Sequence, residues 1–163
     1  MRVLKRFNEW LVKAGSWGTI LFIAVIAIVI PYEVIGRYVF QKMTIWTGEV
    51  STYSLVWASM LGGAVGFRKG YLVSMASVVE SVPPAAAKAL KFLSLICSLV
   101  FFGAMFGYGL FQTLYNWNQT SPAIGLIMSF PYAALPIGFF IMFSLTMEEF
   151  LESIGLSAKG EHR

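Results

Sequence analysis

Residues 92–147, FLSLICSLVFFGAMFGYGLFQTLYNWNQTSPAIGLIMSFPYAALPIGFFIMFSLTM, hold no Lys, Arg, Asp, Glu or His. A helix needs roughly 20 apolar residues to cross a hydrocarbon core of roughly 30 Å, so this run is too long for one crossing and suits two. Its middle, NWNQTSP at 116–122, is rich in Asn, Ser and Pro and reads as the turn between them. That assigns spans at about 88–115 and 130–150, the latter with Pro131 and Pro136 in its first half. The acceptor-like Asn118-Gln119-Thr120 inside the turn reads as turn chemistry.

Upstream, the chain is uncharged from Ala14 to Tyr32, which predicts a span over 15–38 with a kink at Pro31. Another span, 47–68, enters with Glu49 and ends on Arg68-Lys69. The connection ESVPPAAAK follows, where Pro83-Pro84 suits a helix start. The opening MRVLKRFNEWLVK places Val3, Leu4, Phe7, Trp10 and Leu11 opposite Arg2, Lys5, Arg6, Glu9 and Lys13. That pattern predicts an interfacial amphipathic helix over 2–13 lying in the headgroup plane. Residues 151–163 read as a cytoplasmic tail. The expected fold is an all-α integral membrane protein, one membrane domain of four transmembrane helices, within residues 1–163.

Composition agrees. The chain is 58% hydrophobic and only 12% charged, with a mean hydropathy of +0.73; soluble domains are about a quarter charged. Four spans put both termini on one side. Ten of the twelve cations fall on that side and only Arg37 and Lys42 on the other, so the positive-inside rule places both termini in the cytoplasm. Trp17 near one interface, with Trp46 and Trp117 near the other, fits an aromatic belt. The cations flank apolar runs and form no patch interleaved with aromatics, which argues against nucleic acid despite a pI of 9.3.

Chemistry is sparse. There is no aspartate, one cysteine (Cys97) and one histidine (His162). No intrachain disulfide or Cys/His metal site can form, and haem and dithiol chemistry lack their residues. No charge lies near the centre of a span, as transport pathways usually require. No catalytic, metal or cofactor site is expected, and an enzyme is disfavoured.

Two features remain. SMLGGAVGFRKG, Ser59–Gly70, puts four glycines in twelve residues, each costing roughly 1 kcal/mol in a soluble helix. In lipid, small residues permit the close backbone approach that favours helix association. Gly62 and Gly66 are therefore expected at a tight helix contact, with Gly103, Gly107, Ala134 and Gly138 echoing the spacing. The other feature is the charged cluster Glu33, Arg37 and Glu49 at the outer end of the first two spans. It reads either as a salt-bridged tie across the hairpin or as a docking point for an extracytoplasmic partner.

The order of these pieces resembles the small integral-membrane, DctQ-type subunit of tripartite ATP-independent periplasmic (TRAP) transporters. The resemblance runs over nearly the whole chain. It rests on Arg37 ending the first span, WTGEV with Trp46 and Glu49 opening the second, GGAVGFRKG with Arg68, and VVESVP. It ends with SPAIGLIMSFPYAALPIG, carrying Tyr132, Pro136 and Gly138. The chain departs from the pattern at Gly48, where a second acidic residue is common, and at Tyr71–Ala76, which lacks the usual histidine and aspartate. The resemblance implies a scaffold subunit in a bacterial inner membrane. A large permease subunit would hold the substrate and sodium sites, and a periplasmic substrate-binding protein would deliver an organic acid. Glu33, Arg37, Trp46, Glu49, Gly62, Gly66, Arg68 and Tyr132 would be its structural and partner-contact residues. The reading from a different class is a self-associating tetraspan protein forming a small pore.

Overall fold

In the computed structural model the described backbone covers residues 2–41, 44–80 and 84–160, and the described side chains 3–41, 44–68 and 86–154. Arg2, Lys42, Lys69, Gly70, the Tyr71–Ala76 side chains, Lys159, His162 and Arg163 lie outside these described side chains. Five helices follow in order: α1 (Arg2–Tyr38), α2 (Trp46–Glu80), α3 (Pro84–Tyr115), the single turn α4 (Ser129–Tyr132) and α5 (Ala134–Gly160). Four segments are long and apolar enough to cross a membrane: Val3–Tyr38, Trp46–Arg68, Ala86–Tyr115 and Ser129–Ile154.

The helices outrun the expected spans. Residues 2–13 are the first turns of α1 and not a separate helix, since nothing between Lys13 and Gly15 breaks the backbone ladder. Helix α1 stays helical through Pro31, and α2 carries the Tyr71–Ala76 backbone on to Glu80. Pro84 is the first residue of α3, where a missing N–H costs nothing. The expected tail from 151 stays helical as far as Gly160. The fourth span is broken at Ala133, between α4 and α5. Pro136 has no N–H to offer the Tyr132 carbonyl, so the ladder is interrupted at that joint.

Helices α1 and α2 form one hairpin, α3 and α5 another, and the two meet through α2 and α5. Among the described residues α1 and α3 do not touch. The core therefore sits between α2 and α5: Leu61, Ala64, Ile141 and Leu145, with Leu11, Val12, Phe22, Trp57 and Met142 packed around it. Trp57 lies between Phe22 and Phe130, each ring centroid 5.5 Å away. The outer helices leave their apolar sides to lipid; Trp17 is 67% exposed and Ile28 71%.

Glycines mark the close approaches. A Cβ on Gly62 would meet the Thr19 methyl at 3.3 Å, so this glycine lets α1 lie close to α2. Gly18 answers from the opposite helix, its added Cβ reaching 2.7 Å from Leu61. Gly66 differs from the expectation: a Cβ there meets nothing within 4 Å, and the residue faces out of the bundle. In α3 the expected Gly107 is likewise open, and Gly109 is the tight position, where an added Cβ would lie 3.0 Å from the Pro136 nitrogen. Gly138 faces Met60, whose Cβ would lie 3.1 Å away. Pro136 and Gly138 thus seat the start of α5 against α3 and α2 together.

Candidate functional site

Polar chemistry collects at the two ends of the bundle. At the end away from the termini, Trp46 starts α2 and sets its ring 5.9 Å from that of Tyr32 of α1, tilted by 36°. Glu33 and Arg37, one helical turn apart, pair at 3.2 Å on the surface of α1. Glu49 does not join them, which corrects the expected three-residue tie across the hairpin. Its carboxylate turns instead to the loop between α3 and α4, where it accepts the Ser121 hydroxyl and the N–H groups of Ala123 at 3.0 Å and Ile124 at 3.2 Å. Those N–H groups have no strand or helix to satisfy them, and a carboxylate with several lone pairs suits a cluster of donors better than a partly screened guanidinium does.

The loop is otherwise tightly folded. Thr120 and Ile127 form an antiparallel bridge, Ser121 N–H donates to the Leu126 carbonyl at 2.8 Å, and Met128 N–H to the Gln119 carbonyl at 2.8 Å. Gly125 turns the chain with φ +65°, a conformation that side chains disfavour. The Ser129 hydroxyl holds the Thr113 carbonyl at 2.5 Å, and the Tyr53 hydroxyl points to the Met128 sulfur at 3.4 Å. Tyr132, half-buried, ends α4 just beyond this loop.

At the other end the first turns of α1 lie beside the later turns of α5, and α5 supplies three carboxylates. Glu148 faces Arg68 of α2 at 3.7 Å, Glu149 faces Lys91 of α3 at 3.3 Å, and Glu152 faces Lys5 of α1 at 2.5 Å. Each cation comes from a different helix. Below them Asn8, fully buried, donates to Glu148 at 2.6 Å and to the Ser144 carbonyl at 3.1 Å, while the Ser144 hydroxyl donates back to its amide oxygen at 2.6 Å. A cleft of about 280 Å³ opens beside this network, lined by Lys5, Glu9, Arg68, Glu148, Glu149 and Glu152. Among the described residues no group of His, Cys, Asp or Glu is arranged to hold a metal ion.

Of the residues singled out from the sequence, Trp46 meets Tyr32 of α1, Gly62 faces Thr19 of α1 and Arg68 faces Glu148 of α5, while Glu49 reaches the loop after α3. Sequence reasoning passed over Asn8, Ser121, Ser144 and the α5 glutamates. Asn8 carried a signal: it is the one amide in an otherwise charged or apolar opening segment, on the helical side that faces away from Trp10. Ser121 carried none, because its partner is 72 residues distant.

The chain matches the family model described as "Tripartite ATP-independent periplasmic transporters, DctQ component" over residues 25–155. It is 26% identical to a Haemophilus influenzae chain described as a TRAP transporter small permease protein, over 99% of this chain and 98% of that one. It is 30% identical to the ectoine TRAP transporter small permease protein TeaB of Halomonas elongata, over 67% of this chain and 58% of TeaB. It is also 29% identical to the sialic acid TRAP transporter permease protein SiaT of Haemophilus influenzae, over 84% of this chain but only 21% of SiaT. A multi-pass membrane protein, and a transporter component with no enzyme's role, the chain belongs to the DctQ family of TRAP transporters.

Proposed function

We propose that this chain is the fixed small subunit of a sodium-coupled importer of organic acids in a bacterial inner membrane. It braces a large permease subunit and helps a periplasmic substrate-binding protein to dock. The observation that carries this reading is the distribution of charge: every ion pair found lies at an end of the bundle, and residues 92–147 hold no Lys, Arg, Asp, Glu or His. A chain that gripped sodium or a carboxylate within the membrane would be expected to place polar or charged groups there. The similarity to one part of the much longer SiaT supports a large-permease partner. Ectoine and sialic acid, named for two relatives, both bear a carboxylate, which supports the organic-acid class.

Both termini sit in the cytoplasm on this reading, since Lys5, Lys13, Arg68, Lys88 and Lys91 crowd that end. Arg37, Glu33 and Trp46 then face the periplasm, beside the loop pinned by Glu49. Gly66, open to the outside of α2, is the glycine of the row available to a helix of the permease.

Reconstitution tests the reading. In liposomes under a sodium gradient, the chain alone moves no organic acid, and uptake needs the permease and binding protein encoded with it. Uptake by the chain alone, or undiminished uptake without it, overturns the proposal. Gly66→Leu leaves the isolated chain folded and lowers its recovery with the permease; full recovery removes α2 from the interface.

A further inference from the structure

The cations at the termini end fall into two sets. Lys5, Arg68 and Lys91 point inward and are each matched by a glutamate of α5. Among the described residues three exposed cations there meet no carboxylate: Lys88 on α3 and, on α1, Arg6 and Lys13. Arg6 and Lys13 lie on one stripe of α1 with Val3, Trp10 and Trp17, spaced three, four, three and four residues apart and hence on a single helix face. Every member is exposed, Val3 82%, Trp10 64% and Trp17 67%, while the opposite side buries Asn8 against α5. Apolar bulk and unpaired positive charge thus alternate along a surface that none of the described residues covers.

We propose that this α1 stripe is a binding surface for anionic phospholipid headgroups, with Arg6 and Lys13 taking the phosphodiesters, Trp10 seated at the headgroup level and Trp17 two turns deeper at the edge of the hydrocarbon. The dimensions fit. Val3 to Tyr32 is 30 residues of unbroken helix, about 45 Å, which matches a bilayer of about 40–45 Å with its headgroups included. The uncharged stretch Ala14–Tyr32 fills the hydrocarbon, and Lys13, Trp10 and Arg6 follow in the interfacial zone. Charge complementarity names the occupant: a leaflet rich in acidic lipid attracts lysine and arginine close to its surface, and tryptophan favours the same depth. A protein partner would be expected to bring carboxylates to the stripe, whereas the α5 glutamates already face inward cations. The orientation follows the reading above, but lipid retention does not depend on it.

Native mass spectrometry of the full chain, released from detergent after exposure to phosphatidylglycerol or phosphatidylcholine, tests the surface. The parent retains the acidic lipid in preference, and inorganic phosphate does not displace it. The double variant R6Q/K13Q loses about thirtyfold of that preference, as expected for two cations near an anionic surface. The conservative R6K/K13R keeps it, and K5Q, which removes an inward cation, keeps it too. Equal retention of both lipids by the parent overturns the proposal, as does an equal loss in K5Q. Should R6Q/K13Q keep its lipid and instead lose the permease on co-purification, the stripe belongs to a protein. A failure of sodium-driven uptake with lipid retention intact would sink the scaffold reading and leave this one standing.

Discussion

The two ends of the bundle solve different problems with the same residue type. At the termini end, three glutamates on α5 each meet a cation from another helix, so charge ties α1, α2 and α3 to one strut. At the far end Glu49 meets no cation among the described residues; it gathers a hydroxyl and two backbone N–H groups and so shapes a loop. The first arrangement sets the distances between helices. The second sets the path of a connection that has little secondary structure of its own. A carboxylate near a membrane surface is thus defined by the donors around it more than by its depth or its neighbours in sequence.

Substitutions at each end sharpen that contrast. The largest loss is expected from Glu148→Ala, which deprives both Arg68 and the buried Asn8 amide of their acceptor. A destabilisation of about 3 kcal/mol in detergent unfolding is expected for a partly buried charge left without its partner. Asn8→Ala comes next at about 2 kcal/mol, because the Ser144 hydroxyl loses its acceptor inside the bundle. If Asn8→Ala proved neutral, the end would be held by charge alone.

Glu49→Ala acts locally. It is expected to expose residues 119–128 to protease while the helices stay folded, and Glu49→Gln, which keeps an acceptor oxygen, restores part of the protection. Global unfolding in either variant would show that the loop supports the bundle, against the division drawn here. Arg37→Ala is the smallest, below about 0.5 kcal/mol in the same unfolding assay, since an exposed pair one turn apart contributes little. A larger loss would mean that Arg37 has a role beyond its pairing with Glu33.

These contrasts also show what the sequence could reveal. Span number and order were legible because the hydrocarbon imposes a length on apolar runs such as 92–147. Arg68 and Gly62 stand out in the sequence, because a cation at a span end and a glycine row each have few other uses in lipid. The inward and outward halves of the opening segment were not. Its hydrophobic face suggests an apolar side toward protein or lipid, yet the structure buries Asn8 and leaves Trp10 outside. That choice depends on Ser144 and Glu148, more than 130 residues later. The partner of Glu49 escaped for the same reason: a loop N–H has no sequence signature, and Arg37 is the nearer and more obvious counter-ion. Gly66 and Gly107 are a different case. A glycine's spacing marks a surface that permits close approach without saying whether this chain supplies the neighbour.

Because α2 and α5 press together along the middle while α1 and α3 stand apart on either flank, the described helices enclose no lumen between them. Water threading this polypeptide from one leaflet to the other would have to wedge Leu61 from Ile141, or borrow a wall from another chain. A stiffener built on such a plan can be clamped beside moving machinery without becoming a leak.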